Sequence, residues 1–483
     1  MATGDLRRLR RHHGYPLFYA TATITRLADD MFSVGVVLLV LERTGSAALA
    51  GATVAAVTLP SLVTGPLLGA WLDRSGRRRQ VMMLDQVLAA TSVLAIVALA
   101  GNAPDFLVPT VALLAGITWP LSFGGFTSLI PVIVPDELLA QANALEATSF
   151  NIAIIAGPAL AGTISALSGP DTALIVEAVL TIAALGLIAW IPQMDAREPG
   201  AEPGRSLRAI ARDGLRVVAE TPALRSVTAA GAIGLGGIGL LTVAFPFFAE
   251  QELGVDRSVS GYMWAAFAGG SMVGALGLVR LQTRFRPENV MLGSLAALGC
   301  LMLTWPLAAS LPVALGLIAL GGFVDGPGLA ATFGARQRWT PRELLGQIFT
   351  TAASLKVGAF AVGAACAGPA VNAFGARGTL LLAASMQFTA VAVGLLLRRS
   401  RSPLDLQEDD GVDAQRDGKR DRPAVQVALD QRPAAERARA GAADAEGARE
   451  AAVLARVQEH EEDQDEADEY LQDAEDGVHG RKV

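Results

Sequence analysis

Apolar residues in the first 400 positions gather into long runs, not into stripes on one helical or strand face, and twelve of these runs stand out. Their approximate limits are 17–41, 48–71, 80–100, 106–133, 147–167, 172–192, 226–249, 260–281, 289–308, 311–334, 347–371 and 378–397. A helix needs about 20 apolar residues to cross a hydrocarbon core, where no water is present to satisfy backbone groups. The pattern therefore predicts an all-α membrane protein of twelve transmembrane helices. Beyond residue 397 the runs stop. Residues 398–483 are rich in Ala, Asp, Glu and Arg, lack any long apolar segment and predict a disordered acidic tail that cannot bury a core.

The polar positions between the runs carry a second pattern. Arginines collect in alternate loops: Arg7, Arg8, Arg10 and Arg11, then Arg74 and Arg77 to Arg79, then five between Arg197 and Arg216, then Arg280, Arg284 and Arg286, then Arg336, Arg338 and Arg342, and finally Arg398, Arg399 and Arg401. The opposite loops hold Arg43, Arg257 and Arg377. Basic residues accumulate on the cytoplasmic side of short loops, so both termini are expected in the cytoplasm, which needs an even number of spans. The expected organisation is a basic N-terminus (1–16), a six-helix half (17–192), a cytoplasmic linker (193–225), a second six-helix half (226–397) and the tail (398–483). In the linker, Leu207, Ile210, Ala211 and Val218 fall near one helical face and Arg208, Arg212 and Arg216 on another. That arrangement suits a basic helix lying on the inner leaflet.

Composition sharpens this reading. The chain is 52% hydrophobic and 18% charged, with mean hydropathy of +0.42, too apolar for an ordinary soluble protein. Residues 400–483 hold 23 of the 46 acidic and 12 of the 39 basic side chains, which leaves 27 basic against 23 acidic in the body. The acidity therefore belongs to the tail. Cys300 and Cys366 lie in apolar runs and read as inert packing residues, with no disulfide framework. His12, His13, His460 and His479 all fall outside the apolar body, so neither a histidine metal site nor an intramembrane histidine relay is expected. The basic start lacks a cleavage signal and reads as leading into an uncleaved first span.

The two halves repeat. Pro135-Asp-Glu137-Leu138-Leu139-Ala-Gln141 returns 206 residues later as Pro341-Arg-Glu343-Leu344-Leu345-Gly-Gln347, and a glycine precedes each proline by 19 residues, at Gly116 and Gly322. Ala156-Gly157-Pro158 is echoed by Ala367-Gly368-Pro369. Each heptapeptide also suits a helix start, Thr340 with Glu343 forming a capping box. Parallel six-span repeats describe one known transporter architecture. Between spans 2 and 3 the chain reads Gly69-Ala-Trp-Leu-Asp73-Arg74-Ser-Gly76-Arg77-Arg78-Arg79. This resembles the signature loop of the major facilitator superfamily in spacing and in position, and the resemblance covers residues 17–397. It implies that Gly69, Asp73, Arg74, Gly76, Arg77 and Arg78 form a conformational switch that stabilises one state through the start of span 11, here Thr340, Pro341 and Glu343. The second-half loop from Arg280 to Arg286 lacks the Asp and Gly, so one copy is expected to act. Gly157, Pro158 and Gly162 in span 5 resemble the helix-bend element of exporter members, though incompletely.

Ionisable groups at membrane depth cost roughly 2.5–3.5 kcal/mol each and are functional candidates by default. Arg26, Asp29 and Asp30 sit at i, i+3 and i+4 in span 1 and share a face on which they can neutralise one another. The resemblance places span 1 and the span holding Asp325 beside the central cavity, which makes these groups candidates for substrate recognition or proton coupling. A helix break at Gly326-Pro327 is expected to expose carbonyls next to Asp325. Lys356, the first lysine of the chain, faces either the cavity or the inner interface by snorkelling. Asp85 is read near the inner end of span 3 and Glu177 near the outer end of span 6. In one departure from the family's drug/proton antiporters, residues 106–133 contain no arginine, which puts coupling either in doubt or on Arg26, Asp29, Asp30 and Asp325.

The reading is a monomeric permease, not an enzyme, that exports a small amphiphilic or apolar molecule by alternating access, coupled to protons. It needs no cofactor, no metal and no nucleic acid, and its partners are substrate, protons and the lipid bilayer. An uptake symporter of a small nutrient is the first rival. A membrane-embedded sensor or enzyme is the second, and against it stands the lack of any catalytic constellation or nucleotide-binding loop.

Overall fold

The computed structural model describes residues 8–9, 12, 14–64, 68, 77–192, 216–278, 280, 284–340 and 345–398. Outside them lie Gly69, Asp73, Arg74 and Gly76 of the signature loop, most of the linker, residues 341–344 of the second heptapeptide and the acidic tail.

Within the described residues the chain is helical, and a helical segment occupies each of the twelve predicted stretches. The helices are α1 (Tyr15–Thr44), α2 (Ala47–Thr58, its apolar stretch running on to Thr64), α3 (Arg78–Leu99), α4 (Leu107–Thr118), α5 (Leu139–Ser168) and α6 (Pro170–Ile188) in the first half. The second half holds α7 (Pro222–Gln251), α8 (Ser260–Gly277), α9 (Pro287–Met302), α10 (Leu311–Trp339) and the run Leu345–Arg398. That last run divides at Gly375, φ 69°, into α11 (345–374) and α12 (376–398).

Local chemistry sets the turns. Gly45 closes α1 in the left-handed region at φ 66° and donates to the Leu41 carbonyl, after which the Ser46 hydroxyl caps α2 by accepting from the Leu49 N–H at 3.1 Å. Gly169 adopts φ 86° between α5 and Pro170, the first residue of α6. Such short connections make α1 and α2, α5 and α6, and α11 and α12 antiparallel neighbours. One end of the bundle thus carries Tyr15 and Arg398, the terminal end, and the other carries these three turns, the far end.

Eight of the described helices are long and apolar enough to cross a membrane, the run holding α11 and α12 being one of them. The remaining spans fall short for visible reasons. α1 carries Arg26, Asp29 and Asp30; α8 is rich in glycine and serine; α4 is only 12 residues long. Span 4 is broken after α4. Pro120 has no N–H to continue the ladder, and the chain passes into a π-helical turn at Leu121–Gly125 before a short helix at Ile130–Ile133. α10 shows the opposite correction: it runs unbroken through Gly326 and Pro327, so the expected break beside Asp325 is absent.

Small residues bring the helices together, as is usual where lipid supplies no hydrophobic drive between them. The repeat glycines play matching parts: Gly116 of α4 lies on the Val57 carbonyl of α2, and Gly322 of α10 lies on the Phe267 carbonyl of α8. The second and fourth helices of each half therefore cross at the same duplicated position. The halves meet along two seams that are related in the same way. On one, Gly51 of α2 lies against the Ala364 carbonyl of α11, and Gly368 against the Ala47 carbonyl. On the other, Gly162 of α5 lies against the Ser258 carbonyl, and Gly261 of α8 against the Pro158 carbonyl. Both seams sit toward the far end. A side chain at any of these four glycines would have to displace backbone.

Apolar side chains such as Leu94, Leu113, Val179 and Leu396 point outward, as expected of a lipid-facing surface. Cys300 and Cys366 also lie on that surface instead of packing inside, a correction to the sequence reading. The reason is that a run buried in lipid is apolar on every face, so apolar surroundings in sequence do not identify the packed side.

Candidate functional site

Arg26 is the most completely buried charge described, with 0% exposure, and its partner was not among the sequence candidates. Its guanidinium pairs with Glu146 of α5, donates to the Ser149 hydroxyl at 2.8 Å and lies 3.9 Å from the centre of the Phe150 ring. Thr127, following the π turn, donates to the same Glu146 oxygen at 2.8 Å. Glu146 escaped notice because hydropathy begins span 5 at residue 147, whereas α5 begins at Leu139. The signal available was the heptapeptide ending at Gln141, which marks a helix start several residues before the apolar run.

The expected mutual neutralisation within span 1 holds only in part. Asp30 has Arg26 as its charged neighbour. Asp29 does not: the charged groups acting on it are Asp85 of α3, Glu177 of α6 and Asp30, all acidic. Asp85 and Glu177, read from sequence as lying at opposite ends of their spans, thus both come to the level of mid-α1. Each lies about two turns inside its helix, far enough to meet the middle of a 30-residue neighbour. Hydroxyls and an amide surround them. Ser122 of the π turn and Gln86 donate to Asp85 at 3.1 and 2.9 Å, Thr25 donates to Gln86 at 3.4 Å, and Thr181 donates to Glu177 at 3.1 Å. One oxygen each of Asp29 and Glu177 is buried without a hydrogen-bond partner. Among the described residues no group of three His, Cys, Asp or Glu is placed to hold a metal ion.

The helix-bend element belongs to the same region. A Cβ on Gly157 would stand 2.6 Å from the Asp30 Cβ, so this glycine makes the room in which α5 passes Asp30, while Pro158, the next residue, and Gly162, just over a turn further on, meet α8. Helix α5 therefore touches the Arg26 and Asp30 charges along one part of its length and the inter-half seam along the next.

In the second half, Asp325 of α10 and Lys356 of α11 are charged neighbours. The Lys356 stem passes within 3.5 Å of a Cβ placed on Gly231 of α7, so it points among helices of its own half and not toward the interface. Of the signature loop, Arg77 and Arg78 are described. Arg78 is buried at the start of α3, and neighbouring Arg79 donates to the Ile191 carbonyl at 2.8 Å, tying α3 to the end of α6. Gly69, Asp73, Arg74, Gly76, Pro341 and Glu343 lie outside the described residues, as does the pairing of Thr340 with Glu343.

The family profile described as transmembrane secretion effector matches residues 10–449. The chain belongs to the major facilitator superfamily. Within the superfamily it is 32% identical over 361 residues to the transporter y4rN of Sinorhizobium fredii, covering 73% of this chain and 87% of that one. It is 30% identical over 428 residues to the multidrug efflux pump Tap of Mycobacterium tuberculosis, covering 84% of this chain and 98% of the pump. A solved bacterial homologue of the human lysosomal transporter Spinster superposes with a TM-score of 0.65 at 16% identity, over 80% of this chain and 97% of that structure. The superfamily fold thus extends across both halves, and the chain is a multi-pass membrane transporter of small molecules, not an enzyme.

Proposed function

We propose that this chain exports small amphiphilic or apolar molecules across the cell membrane by alternating access, driven by inward movement of protons, with both termini in the cytoplasm. The observation that carries export is the correspondence, over 98% of its length, with a multidrug efflux pump. The arginine pattern supports the orientation. The three arginines of the far-end loops are each paired with an acid, Arg43 with Asp171 at 2.6 Å, Arg257 with Glu250 at 2.6 Å and Arg377 with Glu252 at 2.7 Å, which removes much of what little positive charge that end carries.

Alternating access is supported by the paired glycine seams. Both are tight toward the far end, the arrangement expected when the cavity opens toward the cytoplasm. To release substrate outward these seams must part while the terminal ends close, and the signature loop with Asp73 and Arg74 is proposed to hold that second state. Coupling is assigned to Asp30, with Arg26 as counter-charge and Glu146 competing for it. With Asp30 ionised, Arg26 is shared between two carboxylates. A proton on Asp30 leaves Arg26 to Glu146 alone, which tightens α1 on α5. Because α5 continues directly into the Gly162 and Gly261 seam, a change in its packing at Gly157 is delivered to the contact that must open. Asp29, Asp85, Glu177 and Asp325 are the further carboxylates able to carry protons in this scheme.

The test is dye transport in proteoliposomes holding the purified chain, with ethidium as the probe and an imposed pH gradient. Ethidium gathering against its gradient only when protons can flow the opposite way is the expected result. Gathering in the same direction as the protons would instead make the chain a symporter, and indifference to the gradient would end the proton assignment.

A further inference from the structure

A groove of about 300 Å³ opens on the outer face of the second half, bounded by α8, α9 and α10 near the terminal end. Its walls are Leu278, Phe285, Val290, Ala297, Val324 and Pro327, with Gly293 on α9 exposed among them and nothing within 4 Å of where its Cβ would stand. The wall is almost wholly hydrocarbon. Its two polar residues are Ser294, which is buried, and Asn289, which marks one end, and there the character changes. Arg284 and Arg286 flank Phe285 and are exposed, and Arg398, from the end of α12, donates to the Asn289 side chain. Glu288, the acid in the same turn, is buried and accepts from the Trp339 indole, so its charge faces away from the groove mouth. The first turn of α9 adds the positive end of its macrodipole at this mouth.

An apolar slot with a cationic mouth at the depth of a leaflet boundary matches one kind of molecule. We propose that the groove seats an acyl chain of an anionic phospholipid, whose phosphate is held by Arg284, Arg286 and Arg398. The occupant is a lipid and not a transported solute because Val324 and Pro327 line the slot on one side of α10, whereas Asp325, which neighbours Lys356, lies more than a quarter-turn round the same helix. The chain enters alongside Gly293, where a side chain would otherwise fill the slot. The headgroup then lies over the α9 start, joining the loop after α8 to the end of α12. Occupancy would tie together elements that close the terminal end of this half. The site is independent of the coupling residues, and it stands or falls separately from the export reading.

The experiment is native mass spectrometry of the full chain released from nanodiscs made of phosphatidylcholine and phosphatidylglycerol in equal parts. The wild-type chain should retain phosphatidylglycerol in preference to phosphatidylcholine. Each arginine near a membrane surface contributes an attraction equivalent to about fivefold in affinity, so Arg284→Gln with Arg286→Gln should lower the preference by roughly 25-fold. Gly293→Leu should abolish retention of the bound lipid altogether. Both arginines are exposed and Gly293 has open space, so these variants should stay folded, and their elution as single peaks checks this. Equal retention of the two lipids by the wild-type chain would overturn the headgroup assignment. Undiminished phosphatidylglycerol on Gly293→Leu would overturn the groove as its seat.

Discussion

Replacing Arg26 by methionine tests whether the buried pair with Glu146 is integral to the first half. The substitution keeps an unbranched side chain of similar length but removes the charge. Glu146 is 5% exposed, and without Arg26 its carboxylate would keep the Thr127 hydroxyl on one oxygen, while the other oxygen has no hydrogen bond even in the intact pair. Breaking a buried pair from one side costs about 3–5 kcal/mol, chiefly because the orphaned charge stays desolvated. At about 2 °C per kcal/mol, the low end for large chains, this lowers Tm by roughly 6–10 °C. Removing the other side should do less harm. In Glu146→Gln the amide can still accept from Thr127, and Arg26 keeps Asp30 as a counter-charge. The double variant Arg26→Met with Glu146→Gln should recover at least half of the Arg26→Met loss, because no orphaned carboxylate then remains on α5. Thermal unfolding of purified protein in one detergent, followed by fluorescence-detected size exclusion, measures all three. A loss below about 1 kcal/mol for Arg26→Met, or a double variant whose loss is the sum of the singles, would show that the pair contributes little and that the reasoning from burial fails.

Three other outcomes are expected. Tyr262→Phe removes a hydroxyl contact of 2.7 Å with Thr163 across the α5 and α8 seam and should shift the balance of states toward far-end opening by about 0.5–1.5 kcal/mol, read as a change in the distance distribution between spin labels on the two helices. Gly261→Leu, which drives a side chain into the Pro158 carbonyl, should prevent closure of that seam and raise labelling of a Ser258→Cys thiol by a membrane-impermeant reagent, with Cys300 and Cys366 replaced by serine, while leaving α8 inserted. Lys356→Met should leave Asp325 without its charged neighbour and change the pH dependence of ethidium transport, whereas an unchanged profile would remove this pair from the coupling scheme.

The fold was legible because the apolar runs, the arginine alternation and the repeated Pro-x-Glu-Leu-Leu segment all pointed to the same duplicated bundle. What hydropathy could not supply was the difference between a helix and the part of it that lies in lipid. Glu146 fell one residue outside a drawn span and so went unpaired in the sequence reading, although it is Arg26's principal partner. The π turn after Pro120, which aims Ser122 at Asp85, was equally hidden, because an extra residue in a turn leaves the apolar pattern unchanged. Spacing within one helix suggested that Arg26, Asp29 and Asp30 form one cluster. Neighbours from α3, α5 and α6 instead divide them into a charge-paired side and an all-acidic side, a distinction that only tertiary packing creates. Gly157, by contrast, was readable as a special position, but its reason, making room for Asp30, was not.

The measurement closest to the central claim compares exchange with uphill transport in Asp30→Asn. Proteoliposomes holding this variant are loaded with unlabelled ethidium and supplied with labelled ethidium outside, first without and then with a pH gradient. The neutral side chain mimics a permanently protonated Asp30, so exchange should continue at a rate similar to that of the wild-type chain while accumulation driven by the gradient disappears. Full accumulation by Asp30→Asn would contradict the account and return Asp30, with Arg26, to a purely structural role.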